Sequence, residues 1–215
     1  MLNQKVADLR KDYIMASLDE SDVASDPLQQ FGKWWQDAIS GEIDEANAMT
    51  LATSTPDGRP SARIVLLKSF DEEGFLFFTN YESRKGQELA LNPHVTLLFF
   101  WRELERQVRI EGTVSKASAG ISNEYYNSRP IGSRVGAIAS PQSKVIPDRS
   151  FLEQQVSLVA AKYETAVPER PDYWGGYVVK PAVVEFWQGR SSRLHDRILY
   201  TLTAAGDWNI ERLAP

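Results

Sequence analysis

Short β-prone segments separated by turn signals run through the centre and the C-terminal part of the chain. Turns such as Pro56-Asp57-Gly58-Arg59 and Asp71-Glu72-Glu73-Gly74 join neighbouring segments as hairpins. The predicted strands are residues 48–55, 61–70, 75–79, 95–101, 107–115, 173–179, 183–188, 194–201 and 208–213. Hairpin-linked strands in this number usually close into a barrel or a sandwich, so the pattern predicts a mainly β, antiparallel fold with peripheral helices.

The remaining segments predict helices around this sheet. Asp26 and Pro27 indicate an N-cap and a first helical position, and Gly41 indicates the end of the same helix. Its inward face is predicted to carry Leu28, Phe31, Trp35 and Ile39. Further helices are predicted at residues 83–91, 119–128, 133–139 and 150–163. The spacing of Leu2 and Val6 predicts a short N-terminal helix, and the small and acidic residues 17–25 predict a mobile connector after it. We therefore expect a mobile segment over residues 1–25 and a single domain over residues 26–215.

Charge and cysteine content exclude several classes of protein. The formal net charge of −5 argues against a general nucleic-acid binder, which is usually strongly basic. With no cysteine and two histidines, a metal site of thiolates or imidazoles is not expected. No signal peptide and no apolar run long enough to span a membrane is evident. These features predict a cytoplasmic enzyme or binding protein that binds neither membrane nor nucleic acid.

The stretch Arg193-Leu194-His195-Asp196-Arg197 follows Phe186-Trp187-Gln188-Gly189 near the C-terminus. In a regular strand Arg193, His195 and Arg197 would share one face, because side chains alternate between faces. Such a face is destabilised by like-charge repulsion unless an anion binds to it. The alternative interpretation is a solvated strand edge.

A first phosphate site is predicted where a strand runs into a helix, at residues 79–86. Free backbone N–H groups and the helix dipole favour an anion at such a turn, and Ser83 is placed to cap the helix. Arg84 and Lys85 add positive charge there. Thr79 ends the preceding strand.

A second phosphate site is predicted around Tyr125 and Arg129, which are four residues apart on a helix and share a face. Ser133 is predicted to cap the following helix. The alternative is an exposed Tyr–Arg pair with an ordinary cap. Arg63 and Lys68 lie an odd number of residues apart, so either a bulge brings them together or they contact two different anions.

Familiar hydrolytic motifs are absent from the sequence. It contains no Gly-x-Ser-x-Gly elbow, and His195 and Asp196 are neighbours that would point apart on a strand. A protein with many phosphate donors and few acid–base groups suits a cofactor that performs the reaction itself.

Taken together and in order, these segments resemble the pyridoxine/pyridoxamine 5′-phosphate oxidase family. The resemblance covers the chain from about Asp26 to its last residue. It is carried by Arg63-Ile-Val-Leu-Leu-Lys68, Ser83-Arg84-Lys85, Glu105-Arg106-Gln107-Val108, Ser128-Arg129-Pro130, Gln142-Ser143, Phe186-Trp187-Gln188-Gly189, Arg193-Leu-His-Asp-Arg197 and Glu211-Arg212-Leu213-Ala214-Pro215.

The resemblance implies a homodimeric antiparallel split β-barrel with FMN at the subunit interface. The implied FMN-binding residues are Arg63, Ile64, Val65, Leu66, Leu67, Lys68, Phe78, Thr79, Arg84, Lys85, Gln107, Gln142, Ser143, Trp187 and Arg197. The implied substrate-binding residues are Lys68, Tyr125, Arg129, Ser133, Arg193, His195, Arg10 and Tyr13. Arg193 and His195 are the implied catalytic residues, and no metal site is implied.

The implied reaction is the oxidation of pyridoxine or pyridoxamine 5′-phosphate to pyridoxal 5′-phosphate. A hydride passes from substrate C4′ to flavin N5, and O2 reoxidises the flavin to give H2O2. Two departures stand out: Phe78 replaces a Tyr common in relatives, and Arg134 replaces a common Gln. The alternatives are a non-catalytic flavin or pyridoxal-phosphate carrier and another split-barrel flavin reductase.

Overall fold

A computed structural model describes residues 12–164 and 166–215. Its strands are β1 (Ala48–Ser54), β2 (Pro60–Leu66), β3 (Ser69–Asp71), β4 (Gly74–Asn80), β5 (His94–Trp101), β6 (Arg106–Lys116), β7 (Trp174–Gln188), β8 (Asp196–Leu202) and β9 (Trp208–Arg212). Its α-helices are α1 (Pro27–Ser40), α2 (Arg84–Leu91), α3 (Ala119–Ser128), α4 (Ile131–Ala139) and α5 (Arg149–Lys162). The predicted N-terminal helix lies almost entirely outside the described residues, as does Arg10. Within the described part of the chain, no helix is both long enough and apolar enough to cross a membrane.

The strands belong to one sheet in the order β2-β1-β5-β6-β7-β4-β3, with β8 paired to β7 and β9 paired to β8. The pairs β3–β4, β4–β7, β7–β8 and β8–β9 are antiparallel. The prediction of a mainly β, antiparallel architecture with peripheral helices is confirmed.

The described chain forms two compact units. The first, here called the terminal unit, contains the described residues up to Met49 together with Leu97–Glu111 and Pro181–Pro215. Its core is aromatic: the ring centroids of Phe31 and Phe99 lie 5.2 Å apart, and those of Trp34 and Phe186 lie 5.1 Å apart. Large buried rings provide much of the apolar area that stabilises a unit of this size.

The second unit, here called the central unit, contains Thr50–Thr96 and Gly112–Lys180. Here β4 pairs with the first half of β7, and Phe77 stacks on Tyr177 with centroids 5.7 Å apart. The buried side chains of Leu51, Phe75 and Val179 complete this core. The unit thereby holds β2, β4 and the start of α2 close together.

The prediction of two separate strands at residues 173–179 and 183–188 is wrong, because both segments belong to the single strand β7. Residues 174–179 of this strand pair with β4, and residues 183–188 pair with β8. Pro181 lies outside both ladders, so its missing N–H group removes no hydrogen bond from either of them. A proline inside a β-prone run therefore marks a change of partner here and not a turn.

Helix α1 begins and ends where the sequence predicts. The Asp26 carboxylate accepts hydrogen bonds from the N–H groups of Leu28 (2.7 Å) and Gln29 (3.1 Å), and Gly41 follows the last helical residue. The predicted inward face is partly wrong, because Trp34 and Ala38 are buried with Phe31 whereas Ile39 is 49% exposed. Helical spacing alone left the direction of this face open, and packing of Trp34 against Phe186 selects it.

Replacing Asp26 with alanine is expected to lower the free energy of unfolding by about 1 kcal/mol, because two N–H groups at the start of α1 lose their acceptor. Chemical denaturation followed by tryptophan fluorescence measures this change. Asp26→Asn keeps an acceptor and serves as the control. Equal stability of Asp26→Ala and the parental protein would show that this cap contributes nothing.

Candidate functional site

A cavity of about 300 Å³ lies in the central unit. It is lined by Ile64, Val65, Leu66, Lys68, Phe78, Thr79, Asn80, Lys85, Tyr125, Arg129, Gln142 and Trp174. All except Asn80 and Trp174 are residues that the sequence resemblance assigns to a cofactor or a substrate. Residues from the end of β2, from β4, from α2 and from the end of α3 thus meet around one space, which has the size of a small ligand site.

One wall of the cavity is an aromatic stack of three nearly parallel rings, two of which have a cation beside them. The Phe78 ring is nearly parallel to those of Tyr125 and Trp174, with centroid distances of 4.0 and 5.5 Å. The Lys68 Nζ lies 5.7 Å from the Tyr125 centroid, and the Arg129 Cζ lies 4.7 Å from the Trp174 centroid. Aromatic faces attract cations, so the stack holds both charges at the cavity.

Arg129 brings a buried guanidinium nitrogen to the cavity. Its Nη1 is buried and has no hydrogen-bond partner among the described residues. Burial lowers the pKa of Arg129, and the nearby Arg134 acts in the same direction against the raising effect of Tyr125 and Tyr126. A buried guanidinium nitrogen without a partner is costly, and an anionic group in the cavity would satisfy it.

Lys85 supplies a further cation at the predicted strand-to-helix turn. Its Nζ lies 3.3 Å from the Thr79 Oγ1, which in turn lies 3.5 Å from the Gln142 Oε1. As predicted, Ser83 caps α2, with its Oγ accepting a hydrogen bond from the Gly86 N–H (3.3 Å). Burial and the charge of Arg63 lower the pKa of Lys85. Nearby negative charge would therefore stabilise its ammonium form.

A buried carboxylate organises the arginines beside this turn. Glu88 is 5% exposed and accepts hydrogen bonds from Thr53 (2.5 Å), Ser61 (2.6 Å), Arg84 (2.9 Å) and Arg63 (3.2 Å). Burial raises the pKa of Glu88, but the hydrogen bonds from Ser61, Thr53 and Arg84 and the charge of Arg63 outweigh it and lower the pKa to about 2. Glu88 is therefore ionised at neutral pH and fixes both guanidinium groups.

Arg63 and Lys68 occupy different surroundings. Strand β2 ends at Leu66, so side-chain alternation does not extend to Lys68, whose N–H donates to the Leu76 carbonyl at 2.8 Å. Arg63 belongs to the Glu88 network, Lys68 lines the cavity, and Leu67 between them is buried. No bulge is needed to explain the odd spacing.

Ser133, Ser143 and Arg84, which the resemblance assigns to binding, are also absent from the cavity lining. The predicted cap at Ser133 is wrong, because α4 begins at Ile131 and the Ser133 N–H donates to the Pro130 carbonyl at 2.9 Å. Ser143 is exposed and has a left-handed backbone with φ of 70°. The Arg84 side chain is 66% exposed and is bound to Glu88.

A second cluster lies in the terminal unit around Trp187. The His195 ring centroid lies 4.6 Å from that of Trp187, and Tyr13 lies 5.7 Å from Trp187 and 5.9 Å from His195. The His195 Nδ1 accepts a hydrogen bond from the Arg190 N–H at 3.1 Å, so the neutral ring carries its proton on Nε2. The Cβ of an alanine at position 189 would lie 2.7 Å from the Tyr13 Cγ, so Gly189 leaves room for this ring.

The predicted strand face of Arg193, His195 and Arg197 is wrong. Strand β8 begins at Asp196, and Arg193 lies in a short 3-10 turn. Ser192 and Arg193 have φ of 56° and 63°, a left-handed conformation that breaks the alternation of side chains. Only Arg197 is on the strand, directly opposite Trp187 in the β7–β8 register.

Arg197 is fixed by another buried carboxylate. Glu185, 3% exposed, accepts from the Arg197 Nε at 2.8 Å and from the Arg109 Nη2 at 2.6 Å. The hydrogen bond that Arg197 donates to Glu185 raises the pKa of Arg197, so this side chain stays charged. Gln107 is half-buried on β6, on the face of Arg109, and Val108 on the opposite face is fully buried.

The sequence reasoning did not single out Glu88, Glu185 or Trp174. Glu88 follows Arg84 by four residues, which is a helix-pair signal. Glu185 precedes Trp187 by two residues on one strand, which indicates a shared face. Trp174 has no local signal, because it lies far along the chain from Arg129.

Two family models together match most of the chain. A model described as "Pyridoxamine 5'-phosphate oxidase" matches residues 35–163, and one described as "Pyridoxine 5'-phosphate oxidase C-terminal dimerisation region" matches residues 174–215. A pyridoxine/pyridoxamine 5′-phosphate oxidase of Trichormus variabilis is 56% identical, with full coverage of both chains. One of Paraburkholderia phymatum is 59% identical over 98% of this chain and 99% of the relative.

Solved structures share the fold. PhzG from Burkholderia lata, in complex with tetrahydrophenazine-1-carboxylic acid, has a TM-score of 0.88 at 31% identity, covering 95% of this chain and 100% of that chain. A pyridoxamine 5′-phosphate oxidase-related, FMN-binding protein from Nostoc punctiforme has a TM-score of 0.66 at 19% identity, covering 84% of this chain and 97% of that chain. The predicted split-barrel fold is confirmed by these likenesses.

Proposed function

Because the chain belongs to the pyridoxamine 5′-phosphate oxidase family and is an oxidoreductase, we propose that it oxidises pyridoxine and pyridoxamine 5′-phosphate to pyridoxal 5′-phosphate, with FMN as cofactor and O2 as electron acceptor. When bound, FMN would supply the redox chemistry, with flavin N5 as the acceptor of a hydride from substrate C4′ and O2 as the final electron acceptor, which gives H2O2; with the amine substrate, water would hydrolyse the resulting imine to the aldehyde and ammonia. The observation that carries the proposal is the cavity lined by Lys68, Lys85 and the buried, unpartnered Nη1 of Arg129.

The donors beside α2 fit the phosphate of FMN. They combine the Lys85 ammonium with the Thr79 hydroxyl and the Gln142 amide, and a phosphomonoester accepts hydrogen bonds from all three groups. Arg63 and Arg84, oriented by Glu88, add fixed positive charge, and Ser143 adds a hydroxyl. The cations at the aromatic stack, Lys68 and Arg129, then bind the substrate phosphate together with Tyr125 and Ser133. The hydrophobic residues Ile64, Val65, Leu66, Leu67 and Phe78 surround the cofactor.

The family resemblance assigns Arg197, Gln107, Trp187 and His195 to the flavin and substrate rings. Arg197, held by Glu185, presents a permanent positive charge that stabilises negative charge developing beside it during the reaction. Gln107 and Trp187 contact the flavin. His195 presents its Nε2 proton to the substrate, because its Nδ1 is occupied by the Arg190 N–H.

Arg193 covers and orients the substrate ring. An arginine side chain keeps its proton near neutral pH and therefore cannot accept another one as a base. Its chemistry allows it to position the substrate. Tyr13 extends the cover beside His195 and Trp187, and we assign the same role to Arg10, which lies outside the described residues. Holding the reacting groups in a near-attack geometry can supply about 7–11 kcal/mol of barrier lowering.

A homodimer is supported by the match of residues 174–215 to a dimerisation region, and we place FMN at its subunit interface. A cytoplasmic location and a single domain over residues 26–215 stay predictions. A PhzG-like activity on a phenazine carboxylic acid has weaker support. The PhzG structure is 31% identical to this chain, against 56% for the Trichormus variabilis oxidase, and the cavity offers cations suited to a phosphate.

The test is to purify the protein, record its visible spectrum, and add pyridoxamine 5′-phosphate in air. Flavin absorption together with stoichiometric H2O2 and pyridoxal 5′-phosphate is the expected result. Protein that stays colourless after incubation with FMN would contradict the proposal. Bound flavin without peroxide would indicate a carrier, and peroxide formed only with tetrahydrophenazine-1-carboxylic acid would indicate the PhzG-like activity.

A further inference from the structure

Arg129 lies at the C-terminal end of α3, where its own backbone carbonyl has no partner within the helix. Helix C-termini leave such carbonyls to be satisfied from outside. Arg134 satisfies two of them: its Nε donates to the Arg129 carbonyl at 2.8 Å and its Nη2 donates to the Asn127 carbonyl at 2.7 Å. A planar guanidinium on two carbonyls fixes both the position and the direction of the backbone that carries the Arg129 side chain.

Helix α3 also donates a hydrogen bond to α4. The Tyr126 hydroxyl donates to the Arg134 carbonyl at 3.3 Å. Arg134 therefore stays at the end of α3 although its guanidinium lies near the like charge of Arg129. This arrangement is explained if the position of Arg129 matters more than the repulsion between the two cations.

The Arg129 side chain is held independently by the ring of Trp174. Trp174 is buried, and the Arg129 Cζ lies 4.7 Å from its ring centroid. The Trp174 carbonyl accepts from the Arg170 Nη1 at 2.6 Å, and the Arg170 Nε donates to Asn123 on α3 at 2.6 Å. Arg170 thus ties the backbone of Trp174 to the helix that ends at Arg129.

We propose that Arg134 and Trp174 are positioning residues that present the Arg129 guanidinium to the phosphate of the substrate. Arg134 fixes the backbone of Arg129, and Trp174 fixes its guanidinium plane. The buried Nη1, which has no hydrogen-bond partner among the described residues, is then available to a phosphomonoester. This inference rests on the proposed function, because that function identifies the phosphate as the substrate's. Neither residue touches the reacting atoms.

The test is a double-mutant cycle on KM for pyridoxamine 5′-phosphate in the FMN-loaded enzyme. Arg134→Gln removes the positive charge and the guanidinium that binds the two carbonyls. We expect KM to rise about 10-fold, the effect of losing one charge-assisted contact, while kcat stays within about twofold of the parental value. Trp174→Leu is expected to raise KM about fivefold. In an Arg129→Gln background, each change should alter KM by less than about twofold, because the group being positioned is already gone.

Arg149→Gln is the matched control, since Arg149 is an exposed arginine of α5 paired only with Glu153 in the described structure; its KM should equal the parental value. Arg134→Lys, which keeps the charge, should recover part of the loss. An unchanged KM in Arg134→Gln, or equal effects of that change with and without Arg129, would overturn the inference. Equal effects with and without Arg129 would show that Arg134 acts on folding alone.

Retained flavin absorption shows that each variant is folded. If Trp174→Leu loses its flavin, the cycle of Arg134→Gln and Arg129→Gln still tests the inference. A parental enzyme inactive on pyridoxamine 5′-phosphate would overturn the proposed function and this inference together.

Discussion

Replacing Arg193 with alanine is expected to lower kcat/KM for pyridoxamine 5′-phosphate by about 100-fold, the usual effect of removing one well-placed charged group from an active site. FMN retention and thermal stability should stay at the parental values. Steady-state peroxide formation measures the first quantity, and flavin absorption after gel filtration measures the second.

The local structure separates these two effects. Arg193 is exposed, and its side chain forms no hydrogen bond or ion pair with the described residues, so its removal should not weaken packing. Its backbone has φ of 63°, a conformation that disfavours any residue with a Cβ. Alanine keeps the Cβ, so the left-handed backbone stays as unfavourable as in the parental protein. Glycine would remove the side chain and relieve this backbone strain at the same time. A left-handed pair at Ser192 and Arg193 also suggests a functional reason for the strain.

Arg193→Lys keeps the positive charge but lacks the planar guanidinium, so an intermediate rate is expected if shape and charge both contribute. A variant Arg193→Ala that oxidises substrate at the parental rate would remove Arg193 from the site. Loss of flavin in the same variant would reassign it to cofactor binding.

Replacing Glu88 with leucine is expected to destabilise the apoprotein by about 3 kcal/mol, because it leaves Arg63 and the Thr53 and Ser61 hydroxyls without their common acceptor. Equilibrium urea unfolding measures the change. The effect should exceed that of any surface ion pair, since Glu88 is almost fully buried and the Arg63 side chain is only 20% exposed.

The same carboxylate predicts how stability depends on pH. The folded-state pKa of Glu88 is lowered from its ordinary value of 4.5 to about 2. Its contribution is therefore fully present above about pH 4.5 and is lost as the pH falls toward 2. A lowering of that size corresponds to about 3 kcal/mol. Between pH 4.5 and pH 2 the parental protein should lose more stability than Glu88→Leu does.

Glu153→Leu is the matched control, because Glu153 pairs with Arg149 in the same i,i+4 arrangement but is 63% exposed. Its unfolding free energy should change by less than about 0.5 kcal/mol. Glu88→Gln keeps an acceptor for one hydroxyl and should fall between the two. If Glu88→Leu matched Glu153→Leu, the buried network would not contribute to stability.

Local signals predicted the cavity better than they predicted the C-terminal cluster. The Ser83 cap and the turn at residues 79–86 depend on neighbours in sequence, and the structure has them as expected. The face of Arg193, His195 and Arg197 required a regular strand, and two left-handed residues removed that condition. The binding roles of all these residues stay predictions until they are measured.

Residue order alone determined where most strands, turns and caps lie, because side-chain periodicity and capping act over a few residues. It also determined that the cations Lys68, Lys85 and Arg129 stand beside recognisable turns and helix ends. Only the tertiary structure decided which partners hold those cations. Trp174 reaches Arg129, Glu88 reaches Arg63 and Glu185 reaches Arg109 across long stretches of chain. Such contacts depend on which strands pair and which faces become buried, and no local rule of propensity or spacing contains that information.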